Sequence, residues 1–188
     1  MKKVLTTMAL LAMVMLTNAQ TELNAVGEYE LKVVKEYPGV NAGAIFDRTL
    51  VALSEIKGNS EFSKFNFDVK EKDGGVIVYK GTLFVGYHKA NFSGGYDYLA
   101  DVTIKIRIKE GKAQYTITIP TMTLYWRGHP EITDQVPLTD ILPEVNYKGK
   151  LYYVKKGFAQ FAPEISKVAI EFIDDVAKKT ATAADDDF

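Results

Sequence analysis

The amino-acid sequence predicts an α+β domain: an antiparallel sheet of about five strands with two helices packed on one of its faces. Three observations carry this. Stretches around Phe65–Val69, Val76–Tyr87, Val102–Lys109 and Gln114–Trp126 alternate or run apolar in the manner of strands. Ala42–Lys57 and Glu164–Val176 repeat their apolar residues at the helical period instead. Short glycine-bearing turns join neighbouring strands, which only antiparallel pairs permit. One sheet face is then apolar and receives both helices, while the other faces water.

The chain has 188 residues, no cysteine and a formal net charge of -1, with 47 % apolar and 25 % charged residues. That composition excludes general disorder, a collagen repeat and a disulfide scaffold, and it speaks against a polybasic nucleic-acid binder. Residues 1–19 read as a secretory signal peptide. Lys2 and Lys3 form its basic start, Val4–Leu16 its apolar run, and Thr17-Asn18-Ala19 the cut before Gln20. A membrane-spanning helix needs roughly 20 apolar residues, so this run is too short to span. Cleavage removes two of the 23 basic residues and none of the 24 acidic ones, which moves the net charge to -3. Only Met122 of the methionines survives it, so a methionine-rich binding surface is excluded. No cysteine is present to carry a lipid anchor. The expected location is the periplasm or the exterior of a bacterial cell.

Residues 20–179 read as one domain, opening on a polar lead-in over 20–27. Tyr29, Leu31 and Val33 then alternate in a first strand, which Tyr37-Pro38-Gly39 breaks. In the first helix Ile45, Phe46, Thr49, Leu50, Leu53 and Ile56 form the stripe, with Asn41 as N-cap and Gly58 just past its end. Phe65, Phe67 and Val69 alternate next. A three-residue Asp73-Gly74-Gly75 loop would set Val69 opposite Tyr79 and Phe67 opposite Gly81, where the missing side chain leaves room for a ring.

The clearest hairpin follows. Val102, Ile104, Ile106 and Ile108 alternate with polar residues, as do Tyr115, Ile117 and Ile119. A Gly111-Lys112 type II′ turn would pair 108 with 115 and 104 with 119. Beyond Pro120 the apolar parity flips to Met122, Leu124 and Trp126, which predicts a one-residue bulge at that proline. Residues 127–163 read as an irregular insertion with a possible hairpin over Tyr147–Val154. Pro163 and Glu164 then open the second helix, whose stripe is Ile165, Val168, Ala169, Phe172, Ile173 and Val176. Residues 180–188 read as an acidic disordered tail.

The order β-α-β-β-β-β-α behind a signal peptide, the helix ending Leu53-Ser54-Glu55-Ile56 and the Lys109-Glu110-Gly111-Lys112 turn resemble a family of secreted Bacteroidetes domains of unknown function with a TBP-like fold. The resemblance spans about residues 28–178. It implies that fold and no catalytic residues, and a fold name drawn from a DNA-binding protein implies no DNA binding.

The candidate site comes from strand geometry. The loop 88–98 and the end of the fifth strand meet at one end of the sheet, with Trp126 expected opposite Tyr98. Tyr87, His88, Phe92, Tyr96, Tyr98, Tyr125, Trp126 and His129 gather there. Two readings fit. Aromatic faces could stack on a sugar or another flat ligand, with Gly94-Gly95 letting the loop move; or the rings form a satellite core that closes the sheet's end. His88 and His129 could be joined by Asp97, Asp101 or Glu131, but nothing has metal-site spacing, and no metal or other cofactor is expected. The basic stripe Lys105, Arg107, Lys109 and Lys112 reads as a solvated strand face, so no nucleic acid is expected. No Gly-x-Ser-x-Gly elbow or phosphate-cradling glycine loop occurs, and Asp174-Asp175 point about 100° apart on a helix. The expected function is therefore an exported, non-enzymatic binding or interaction module, its partner an envelope protein, a glycan or a small molecule. The alternative is a periplasmic carrier holding a lipid or other apolar molecule between the second helix and the sheet.

Overall fold

The computed structural model describes residues 20–23, 29–56, 63–90, 94–127, 129–137 and 155–182. The elements are β1 (Gln20–Leu23), β2 (Tyr29–Glu36), α1 (Ala42–Glu55), β3 (Phe65–Glu71), β4 (Val76–Ala90), β5 (Gly94–Lys109), β6 (Lys112–Trp126), β7 (His129–Pro137) and α2 (Lys155–Thr182). They build one antiparallel sheet in the order β1-β2-β6-β5-β4-β3, with β7 also paired to β6. Both helices pack on one face, as the alternation requires. Among the described residues the sheet has seven strands, two more than the five or so expected. The extra two come from Gln20–Leu23, read as lead-in but paired along β2, and from β7 inside the expected insertion.

β2 and β7 share one edge of β6. β2 runs along it up to the Tyr29–Ile119 pair, and β7 takes over from the Pro137–Thr121 pair. Pro120 falls at the changeover. On the other side Asp101 pairs Thr121 and Thr103 pairs Thr118, so β6 carries one extra residue there. This is the expected bulge, and a residue without an N–H is tolerated where the ladder is already interrupted.

The hairpin register differs from expectation by two residues. Lys109 pairs Lys112 and Ile106 pairs Tyr115, so the turn is Glu110-Gly111. Gly111 takes the second central position with φ 68°, not the first as a type II′ turn requires. This tip also starts α1. Asn41 Oδ1 accepts the Ala44 N–H at 2.8 Å, and Glu110 Oε2 accepts the Ala42 N–H at 3.1 Å. A carboxylate at a helix N-terminus meets orphan donors and the positive end of the dipole. Glu110→Ala is expected to lower stability by about 0.5–1 kcal/mol, read from urea midpoints at low salt; an unchanged midpoint would deny Glu110 a capping role. Ile56 closes the helix, and Gly58 lies outside the described residues.

At the other edge the β3–β4 loop has four residues, because Glu71 pairs Val76. A bulge between Phe67 and Val69 then sets Phe67 opposite Tyr79 and Phe65 opposite Gly81. It also turns Val69 off the helix side, where it is 38 % exposed.

The core lies between the sheet and the two helices. Leu31, Ile77, Ile104, Ile106, Ile117 and Ile119 face Ile45, Leu53, Ala169, Ile173 and Val176, all buried. Fully burying one such aliphatic side chain contributes about 1.5–3 kcal/mol. α2 begins at Lys155, so Pro163 falls within it rather than at its first position, and it runs on to Thr182. The tail boundary at residue 180 is corrected accordingly. Thr180 is buried, its hydroxyl donating to Val176 O at 2.9 Å and reaching Thr49 Oγ1 at 3.4 Å. Beside it Tyr37 and Tyr115 join hydroxyls at 2.9 Å. Burial raises both phenols above their ordinary range, so both stay neutral. α2 is tied to β2 by the Tyr29 and Ser166 hydroxyls and by Lys35 Nζ donating to Asp174 Oδ1 at 2.6 Å. The segment Tyr147–Val154 lies outside the described residues.

Candidate functional site

The expected loop 88–98 is mostly strand. β4 continues to Ala90 and β5 starts at Gly94, so the two pair along almost their whole length. Tyr96 pairs His88 on one side and Trp126 on the other, while Tyr98 pairs Gly86 and Leu124. Trp126 thus stands opposite Tyr96 rather than Tyr98, the same two-residue offset as at the hairpin tip. His129 follows opposite Trp126. Phe92 lies outside the described residues. The remaining candidates do gather at one end of the sheet, as their strand positions require.

The sheet nevertheless divides them. β5 is regular, so Tyr96 and Tyr98 share the helix side with Val102 and Ile104. Trp126 joins them, its ring 6.1 Å from that of Tyr96. Both tyrosines are buried, and burial pushes the Tyr98 phenol well above its usual range, with Tyr96 adding to the effect. These rings lie on the helix side at the end of the core.

Tyr87 and Tyr125 lie on the open side, both opposite Asp97. A bulge between Phe84 and Gly86 puts Tyr87 there. Without it, odd-numbered Tyr87 would share the helix side with Tyr79 and Leu83. Arg127, which the sequence reading passed over, completes the group. Its Nε donates to Asp97 Oδ1 and Oδ2 at 2.9 and 2.7 Å, and its Nη2 donates to Oδ1 at 2.7 Å. Its guanidinium carbon lies 4.2 Å from the centre of the Tyr87 ring, within cation–π range. Asp97 is 1 % exposed and Arg127 53 %.

Gly95 packs closely against Tyr87. A Cβ there would lie 2.2 Å from Tyr87 Oη, so Gly95 serves close packing under the ring rather than loop motion. Gly95 O also accepts the Arg127 N–H at 3.0 Å. Tyr87 thus packs on Gly95 and under the Arg127 guanidinium, and it stays 40 % exposed. It supports a guanidinium plate. The suggested metal ligands have other duties as well: Asp97 holds Arg127, and Asp101 Oδ2 accepts from the Thr121 and Thr123 hydroxyls at 2.6 and 2.9 Å. A signal for Arg127 was present in the chain. Past the Pro120 bulge the odd residues of β6 turn outward, which brings Arg127 onto the side of Asp97 and Tyr125.

A DUF4468 family protein from Bacteroides ovatus superposes with a TM-score of 0.59, at 16 % sequence identity, over 88 % of this chain and 92 % of that one. A TBP-like protein from Parabacteroides distasonis superposes with a TM-score of 0.56, at 11 % identity, over 80 % of this chain and 93 % of that one. The fold is TBP-like. Both neighbours come from Bacteroidetes, and the element order had pointed to that fold. No family model matches the chain, nor does any curated protein sequence. At these identities the likeness concerns the TBP-like architecture, and no residue role passes from either neighbour.

Proposed function

We propose that this TBP-like chain is an exported, non-enzymatic interaction module of the bacterial envelope. Its contact surface is the open side of the sheet at the Tyr87–Arg127 end. One observation carries the reading. Arg127 is half exposed, yet it is fixed along one edge by a buried carboxylate and on one face by a tyrosine ring. A solvent-facing arginine normally samples many rotamers, and ordering one costs up to about 2 kcal/mol. Here that ordering is met in the free protein. Preorganised Arg and Tyr side chains are the residue types that dominate binding energy at protein interfaces.

The carrier alternative asks for space between α2 and the sheet. Over Ile165–Ala177 the helix instead packs directly on the strands: Phe172 stacks on Phe65 with ring centres 5.2 Å apart, and Ile173 and Val176 are fully buried. Among the described residues no helix is long and apolar enough to cross a membrane.

The test is cross-linking in envelope extract with residues 20–188 as bait, comparing wild type with Arg127→Lys and Tyr87→Leu. Lysine keeps a charge for Asp97 but loses the planar fork. Captured partners are expected to fall about tenfold or more in both variants, which a loss of about 1.4 kcal/mol would produce. Equal capture by all three baits would remove the surface from this end of the sheet. Recovery of the chain from the cytoplasm with residues 1–19 intact would overturn the envelope assignment.

A further inference from the structure

We infer that the other half of the open side is a binding site for an acidic polysaccharide, with Lys105, Arg107 and Lys109 of β5 as its cations. These three residues are exposed and stand two apart on a central strand. Their side chains therefore project to the same side in a row, with a spacing of about 6.6 Å.

Their neighbours distinguish them from other basic residues on that side. Lys80 pairs with Asp68 at 2.8 Å, and Lys32 pairs with Glu30. Lys105 stands between Val78 and Thr116, and Arg107 between Val76 and Gln114. Among the described residues no carboxylate pairs with either, or with Lys109. Lys109 sits directly opposite Lys112, a like-charge pair that weakens the hairpin. Glu110, the carboxylate within that turn, is directed to the start of α1 instead. The fold thus places a line of cations mid-sheet, and the carboxylates in register with it, Glu36 opposite Lys112 and Glu71 opposite Val76, stand two strands away. An external polyanion would complete the compensation.

The surroundings select among polyanions. Thr103, Thr116 and Thr118 lie half-buried beside the row, and their hydroxyls can exchange hydrogen bonds with sugar hydroxyls. Single-stranded nucleic acid needs aromatic platforms along the groove. Phe84, opposite Leu99 on the same side, is six residues of strand away from Lys105, about 20 Å, and Tyr87, opposite Asp97, lies farther. A protein partner would want a large apolar or aromatic anchor, whereas this row is flanked by threonines, glutamine and half-buried valines. The site is separate from the Arg127 plate and does not depend on it.

The test measures binding of residues 20–188 to polygalacturonate by calorimetry at low and physiological salt. Neutral dextran, oligo-dT and polyglutamate serve as comparison probes. The variant Lys105→Gln/Arg107→Gln/Lys109→Gln removes the row. Lys64→Gln/Lys167→Gln/Lys178→Gln removes the same charge from elsewhere, and thermal melting checks that both fold. The expected result is salt-sensitive binding of polygalacturonate alone, weakened about tenfold or more by the first variant and less than about twofold by the second. Absence of binding, equal losses in the two variants, or equal affinity for polyglutamate would overturn the proposal. Tighter binding of oligo-dT would assign the row to nucleic acid instead.

Discussion

Arg127→Ala is expected to destabilise the fold by about 3 kcal/mol, while Asp97→Asn costs about 1 kcal/mol. The two partners meet in the same three hydrogen bonds, so the difference comes from what each substitution leaves behind. Removing Arg127 strands an ionised carboxylate that is 1 % exposed. Neutralising Asp97 leaves a guanidinium that is 53 % exposed, still stacked on Tyr87 and able to turn to water. Loss of the cation–π contact adds to the cost of Arg127→Ala by about 0.5–1 kcal/mol. In a domain of this size the larger effect corresponds to a fall in melting temperature of about 6–12 °C. Urea denaturation of the two single variants and the double variant measures the coupling. Equal costs for the two single substitutions would mean that Arg127 only covers the strand end and does not balance a buried charge.

How much of this arrangement is legible in the chain depends on which symmetry a residue pattern can detect. Alternation reports which side a residue faces, because a one-residue slip inverts every side chain. A two-residue slip inverts none. The hairpin expected at Gly111-Lys112 and the one observed at Glu110-Gly111 therefore bury the same isoleucines. Only the turn chemistry separates them, and a glycine fits either the first or the second central position of some tight turn. The same offset moved Trp126 from Tyr98 to Tyr96 without changing its side.

Bulges were legible unevenly. The one at Pro120 announced itself, because the apolar parity changes between Ile119 and Met122. The one after Phe84 left no such mark, since Leu83, Phe84 and Val85 are apolar in succession and read the same in either phase. That silent bulge decides the candidate site. It carries Tyr87 to the open side and separates it from Tyr96, Tyr98 and Trp126. Clustering at one end followed from strand ends alone, whereas the division into a core cap and an exposed arginine plate did not. The start of α2 was lost for a related reason: Pro163 matches the preferred first position of a helix, and the turns before it lack a clean stripe.

The third silent feature is the bulge beside Phe67, and it bears on the second large effect. Gly81→Ala is expected to cost about 3 kcal/mol, in the range of overpacking a closed core. The new Cβ would lie 2.2 Å from Phe65 Cδ1 and 2.5 Å from the Lys64 carbonyl oxygen. Neither neighbour yields easily. The Phe65 ring is stacked between Tyr79 and Phe172, both at 5.2 Å between ring centres, and so ties β3 to β4 and to α2. The Lys64 carbonyl accepts the Thr82 N–H at 3.2 Å, and moving it opens the edge of the sheet. Urea denaturation of Gly81→Ala in two backgrounds separates the two clashes. In the Phe65→Ala background the ring is gone, and the cost of Gly81→Ala should drop to about 1–2 kcal/mol, the part owed to the backbone contact. A cost unchanged by Phe65→Ala would assign the whole effect to Lys64 and the ladder. A cost below about 0.5 kcal/mol in the parent chain, the range of ordinary surface changes, would mean that no aromatic ring lies over Gly81.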